Sequence, residues 1–135
     1  MMMVKTKLKI LVVDDAQLVV KRVMALVNEL PSVEKVIGAA SYNQAVQLIK
    51  NEKPHLVLLD IQLPEKNGIE LLVHVKKNYP EIKTIMLTNK AGVYYKNLCE
   101  KNGCDHFIDK SSEFEKIPMI IESYSENILT TMSNP

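Results

Sequence analysis

Leu56-Val57-Leu58-Leu59-Asp60-Ile61-Gln62-Leu63-Pro64-Glu65-Lys66-Asn67-Gly68 decides how this chain folds. Four apolar residues end abruptly on a carboxylate. Pro64 and Gly68 then break the chain before a helical pattern begins. A run of ~4–8 apolar residues between turn signals reads as a strand buried on both faces, the kind found in parallel sheets. Parallel sheets present their ligands at the carboxyl ends of their strands. Asp60 therefore stands where an α/β domain puts its chemistry.

Outward from this strand, the same alternation repeats. A strand over Lys9–Val13 ends at Asp14-Asp15, and a helix follows from about Ala16 to Leu30, with Val20, Val23, Val27 and Leu30 at helical spacing and Pro31 as its stop. A weaker strand over Val36–Ala40 precedes a helix over Tyr42–Glu52, for which Ser41 is an N-cap candidate. After the His55–Leu59 strand comes a helix over Gly68–Asn78, with Ile69, Leu72, Val73 and Lys76 expected along one stripe. A strand over Thr84–Thr88, a helix over Val93–Asn102 capped by Gly103, and a strand over His106–Ile108 complete the repeat. The last helix is expected from Pro118 to Leu129. The expected division is an N-terminal extension over 1–7, one domain over 8–129 and a polar tail over 130–135.

Strand–helix alternation of this kind implies right-handed crossovers and a parallel sheet with helices on both faces. With five strands, the leading topology is flavodoxin-like, in the order 2-1-3-4-5, with its switch point between the first and third strands. Asp14-Asp15 and Asp60 end those two strands.

Bulk properties remove several function classes. The chain has 135 residues, the size of one ordinary domain. A hydrophobic share of 47% supports a real core. A net charge of +1 gives no global field for nucleic acid or anionic lipid. No apolar run reaches the ~18 residues of a membrane span. Met1–Lys9 lacks a signal-peptide apolar region, and Cys99 and Cys104 suit neither a disulfide framework nor a zinc site. A reducing cytoplasm is the expected compartment. His55, His74 and His106 are scattered and form no base or ligand constellation.

At the switch point three carboxylates converge. Two like charges ~4 Å apart repel by about 4 kcal/mol at an effective dielectric of about 20. A cation must offset them, and a partly hydrated, all-oxygen pocket suits Mg²⁺, with Mn²⁺ as a substitute. Lys110, after the fifth strand, and Thr88, at the end of the fourth, add a cation and a hydroxyl. A carboxylate nucleophile, a metal and hydrogen-bond donors are what an aspartyl-phosphate needs.

Asp14-Asp15, Asp60, Pro64, Gly68, Thr88 and the run from Gly103 to Lys110 together resemble the receiver domain of two-component response regulators, over about Leu8 to Leu129. The resemblance implies that Asp60 accepts a phosphoryl group from a phosphohistidine. It implies that Asp14, Asp15, Asp60 and the carbonyl of Gln62 hold the metal, Asp15 more directly than Asp14. Lys110 is similar to the lysine that pairs with the acceptor, Thr88 to the hydroxyl that moves onto the phosphate, and Phe107 to the aromatic that turns inward behind it. The partner is then a sensor histidine kinase or a histidine phosphotransfer protein. The output runs to a downstream protein through the surface of the fourth helix, fifth strand and fifth helix, or onward in a phosphorelay. The chain is expected to be a switch that promotes its own phosphorylation and dephosphorylation, not an enzyme with an external substrate, and not to bind DNA or a membrane.

Two residues depart from the family pattern. Ser111 stands where the family has proline, often after a cis peptide, and Asn89 stands where it has a small residue. Phe107, which lacks a tyrosine's hydroxyl, is expected partly or wholly inward even without phosphate, since burying an aromatic side chain gains up to ~3 kcal/mol.

Simpler readings compete. Asp15 fits a helix N-cap, Thr88 an ordinary strand residue, Phe107 core and Lys110 a surface lysine. One of the adjacent Tyr94 and Tyr95 must face outward. Met119-Ile120-Ile121 cannot all be buried by one helix face, so a homodimer or partner contact there is a further expectation. Three other functions remain: the receiver half of a DNA-binding regulator, a Mg²⁺-dependent aspartate-nucleophile phosphohydrolase, and a flavin carrier. Gln62 stands where such a phosphohydrolase has its general-acid aspartate, and the carboxylates ending the first strand would repel a flavin phosphate. The end of the sequence, soon after the last helix, favours a stand-alone regulator.

Overall fold

A computed structural model describes residues 7–90 and 92–133, with side chains up to residue 125. Its elements follow in order: β1 Leu8–Val13, α1 Gln17–Asn28, β2 Val33–Ala39, α2 Tyr42–Glu52, β3 Leu56–Leu59, α3 Gly68–Asn78, β4 Lys83–Thr88, α4 Val93–Lys101, β5 His106–Asp109 and α5 Ile117–Ser133. The five strands form one parallel sheet in the order β2-β1-β3-β4-β5. This is the flavodoxin-like order expected from the alternation.

Because side chains alternate across a strand, each strand feeds two cores. Leu8, Ile10 and Val12 of β1, with Leu56 and Leu58 of β3, pack against Val23 and Val27 of α1 and Ile117, Ile120 and Ile121 of α5. Leu11, Val13, Val57 and Leu59 face the other way, against Ala45 and Ile49 of α2 and Leu71, Leu72 and Val75 of α3. Burial on both faces is why the central strands read as continuous apolar runs.

Several boundaries differ from the expected ones. α1 ends at Asn28, and Leu30 instead closes turns to Val27 and Val33. The residue before a proline is biased away from helix, so Pro31 acts one residue early. β2 begins at Val33, earlier than expected, because Glu34 and Lys35 are exposed on an edge strand. The register of β1 and β2 shifts between Leu8 and Lys9 to accommodate them. The stripe expected on α3 is off by one position: Leu71, Leu72 and Val75 are buried, whereas Val73 is exposed. A Phe114–Lys116 3-10 turn leads into α5, which starts one residue before Pro118 and runs past Leu129 to Ser133. Thr130 to Ser133 contain neither Gly nor Pro, so nothing in the sequence halts the helix where the tail was expected. Residues 1–6 of the expected extension, and 134–135, lie outside the described residues.

Met119 is exposed while Ile120 and Ile121 are buried, and Tyr94 is exposed while Tyr95 is half-buried. Among the described residues no helix is long and apolar enough to cross a membrane.

Candidate functional site at the carboxyl edge of the sheet

The backbone ladder continues one residue beyond the strands and delivers the site. Asp14 N donates to Ala39 O at 3.0 Å, Asp60 N to Val13 O at 3.0 Å, and Lys110 N to Thr88 O at 3.0 Å. Their side chains therefore start from fixed backbone positions at one sheet edge. Lys110 Nζ lies 2.6 Å from Asp14 Oδ2 and 2.8 Å from Asp60 Oδ2. Thr88 Oγ1 donates to Asp60 Oδ1 at 2.6 Å. Gln62 N lies 3.3 Å from the same oxygen. Asp14, Asp60 and Thr88 are only 3%, 6% and 0% exposed, so these contacts are little weakened by water.

Burial raises the Asp14 carboxyl above its usual value and outweighs the hydrogen bonds from Lys110 and from Ala16 N. Burial also pulls Lys110 down, but its hydrogen bonds to Asp14 and Asp60, with their charges, hold it above its usual value. Lys110 is thus an ammonium at neutral pH, with one charge facing two carboxylates.

Asp15 lies apart from this cluster. It is exposed and does not cap α1: the N-cap is Ala16, without a side-chain bond, and Asp14 Oδ1 accepts from Ala16 N at 2.9 Å. Gln62 is exposed, with its backbone at the rim. Phe107 is half-buried against the core beside α4 and lines a cavity of about 180 Å³ with Lys96, Glu100, Cys104, Asp105 and His106. Asn89 is exposed. Outside the site, burial pushes the Cys99 thiol up to about 11 and Cys104 up to about 12, so neither is a ready nucleophile.

The groups at this edge that could hold a metal are all oxygen donors: the buried carboxylates of Asp14 and Asp60, with the exposed Asp15 and the Gln62 carbonyl as further candidates. Such donors fit a hard divalent cation. Among the described residues no three His, Cys, Asp or Glu side chains close around one point.

Three contacts were not legible in the motif. Lys90 N donates to Thr88 Oγ1 at 3.1 Å, which leaves that hydroxyl's proton for Asp60. Asp109 Oδ1 accepts from Ser111 N at 2.9 Å and Ser111 Oγ at 2.7 Å. This turn organises the loop after Lys110 with a trans peptide at Ser111, since the described residues contain no cis bond. An Asp two residues before a Ser is the signal that could have revealed it. The third is the approach of Gly68 to the Asp60 backbone.

With this edge of the sheet described, the comparison with known proteins is decisive: the model of the response regulator receiver domain matches residues 10–122. The chain belongs to that family. It is a receiver domain of two-component systems, a phosphorylation-controlled signalling switch. The probable C4-dicarboxylate response regulator DctR of Bacillus subtilis (strain 168) is 26% identical over 124 residues, 92% of this chain and 55% of that protein. The transcriptional regulatory protein DegU of Brevibacillus brevis is 28% identical over 116 residues, 84% of this chain and 48% of that protein. The chain spans about half the length of these curated relatives. The crystal structure of a CheY-like response regulator receiver domain protein from Methanospirillum hungatei JF-1 matches with a TM-score of 0.82 at 27% identity, over 90% of this chain and 96% of that one. Receiver domains are generally Mg²⁺-dependent.

Proposed function

We propose that Asp60 is the phosphoacceptor of this receiver and that Lys110 and Thr88 serve it directly. One observation carries this: among the pocket carboxylates, Asp60 alone is held by both the Lys110 ammonium and the Thr88 hydroxyl. An Asp60 oxygen attacks phosphorus, and the bond from phosphorus to the donor's imidazole nitrogen breaks. Lys110 pairs with the carboxylate before transfer and with the phosphoryl oxygens after it. Thr88 donates its proton to a phosphoryl oxygen instead of to Asp60. Asp14, Asp15, Asp60 and the Gln62 carbonyl would hold Mg²⁺, or Mn²⁺ in its place, which supplies positive charge to offset the phosphoryl group.

Thr88 donates to Asp60, and Phe107 packs partly against the core. We read Thr88 and Phe107 as a switch biased towards its active arrangement. A full 1:99 to 99:1 shift would require ~5.5 kcal/mol from the phosphate. A pre-biased switch needs less, and its partner affinity changes modestly. The donor is a sensor histidine kinase or a histidine phosphotransfer protein in the cytoplasm. The target is a protein that reads the face of α4, β5 and α5; α4 carries the exposed Tyr94 and α5 the exposed Met119. A second copy of the chain at Met119 is an alternative occupant. The domain division, 8–129 between an extension and a tail, belongs to this same proposal.

The chain's span of about half its relatives favours a second reading, the receiver part of a longer, DNA-binding regulator. A longer open reading frame would decide between them. The first reading is tested by incubation with Mg²⁺ and acetyl phosphate, followed by intact mass. One phosphoryl group is expected on the unsubstituted protein and none on Asp60→Asn. Phosphorylation of that variant at the original rate would refute the assignment.

A further inference from the structure

Gly68 opens α3, and its place in the site follows from what a side chain there would meet. A Cβ built on Gly68 would lie 1.8 Å from Asp60 O, 2.7 Å from Asp60 C and 2.9 Å from Ile61 Cα. All three are backbone atoms, so no side chain can swing aside. Gly68 is not needed for a left-handed turn; among the described glycines only Gly103 has a positive φ. Helix propensity alone would favour alanine at this position. The glycine is required for close approach.

That approach bears on the nucleophile. Asp60 is held on one side by its N–H, which donates to Val13 O at 3.0 Å. On the other side its carbonyl rests against the Gly68 Cα, and Gly68 N donates to Ile61 O at 2.7 Å. Between these two restraints the carboxylate reaches Thr88 and Lys110. The next carbonyl but one, that of Gln62, belongs to the same restrained loop.

We infer that Gly68 is a positioning residue for phosphoryl transfer, locking the Asp60–Ile61 peptide so that the Asp60 carboxylate and the Gln62 carbonyl hold their reactive orientations. The inference rests on Asp60 being the acceptor. It adds that α3 is anchored to the nucleophile itself, so the geometry of the site and the seating of α3 are one unit. A methyl group at Gly68 must move backbone, and a misplacement of ~1 Å can slow a reaction by ~10²-fold.

The test compares Gly68→Ala with Asn67→Ala. The Asn67 side chain caps the same helix end, accepting from Glu70 N at 2.9 Å, and is not among the hydrogen-bond partners of Asp60. Both variants weaken the start of α3, and only one enters the site. At saturating acetyl phosphate, Gly68→Ala should be phosphorylated about tenfold or more slowly and should bind Mg²⁺ more weakly by NMR titration, while Asn67→Ala stays within about twofold on both counts. Equal slowing in the two variants, or an unaffected Gly68→Ala, would overturn the inference. Phosphorylation of Asp60→Asn would instead sink the acceptor assignment beneath it. Should Gly68→Ala fail to fold, the unsubstituted protein decides. By reciprocal coupling, Mg²⁺ with beryllofluoride should slow hydrogen exchange at the Gly68 amide. Unchanged exchange there would contradict a shared unit.

Discussion

Lys110 carries one positive charge against Asp14 and Asp60, both buried. The pocket is therefore one charge short; burial is the main cause that raises the Asp14 carboxyl despite its bonded lysine, and the neighbouring Asp60 adds a smaller push in the same direction. Asp15 is different. It stands exposed at the rim, so its charge contributes little to the repulsion inside. Asp15→Ala should change unfolding free energy by less than ~0.5 kcal/mol, as surface substitutions usually do. The same variant should lose Mg²⁺-dependent phosphorylation, read by intact mass against Mg²⁺ concentration; normal phosphorylation in Mg²⁺ would mean Asp15 is no ligand. The motif made all these residue types legible, but not the partition between Asp14 and Asp15. Which of two adjacent aspartates faces the pocket depends on where β1 stops pairing with β2, and Asp14 N still pairs with Ala39 O. A sequence pattern does not carry that last ladder bond. Nor does it tell a glycine kept for close approach from one kept for a turn, which is why Gly68 looked like punctuation.

Elements are tied together at the opposite edge of the sheet by Asp105. Its Oδ2 accepts from Lys76 Nζ at 2.7 Å, Thr84 N at 2.8 Å and Thr84 Oγ1 at 3.2 Å. Its carbonyl accepts from Tyr124 at 2.8 Å. One carboxylate thus links α3, β4 and the start of β5, and the same residue reaches α5. Burial alone would raise this carboxyl, but the bonds from Lys76 and Thr84 and the charges of Lys76 and Lys83 hold it below its usual value. With a depressed folded pKa, its contribution is present above the unfolded value of 3.8 and is lost as pH falls through the folded value. Asp105→Asn should lower stability by about 2 kcal/mol at pH 7 in urea unfolding, with the gap closing in that acid window. A gap that persists unchanged below the window would assign the effect to packing. Nothing in the sequence marked this network, since an Asp before a short strand has no period or motif. Strong apolar elements were legible and polar ones were not: β3 was readable as a buried run, whereas Glu34 and Lys35 hid the first half of β2. On α3, Val73 and Leu72 are equally apolar, and only packing against Val57 and Leu59 shows which one faces inward.

At the scale of the whole molecule, the sheet order was legible because each strand's two apolar faces demanded helices on both sides. The surface is less constrained. A net charge of +1 provides no broad basic field, so this 135-residue chain should show no salt-dependent binding to duplex DNA at micromolar protein in a mobility-shift titration. A clear shift with a steep salt slope would favour the longer, DNA-binding reading. We propose above all that the sheet edge delivers Asp60, and not Asp14 or Asp15, to phosphorus. Borohydride reduces an aspartyl phosphate to homoserine, which marks the acceptor permanently. After phosphorylation with acetyl phosphate and Mg²⁺, borohydride trapping and peptide mass mapping should find homoserine at Asp60, with Asp14 and Asp15 intact. Homoserine at Asp14 or Asp15, with Asp60 unmodified, would contradict the claim.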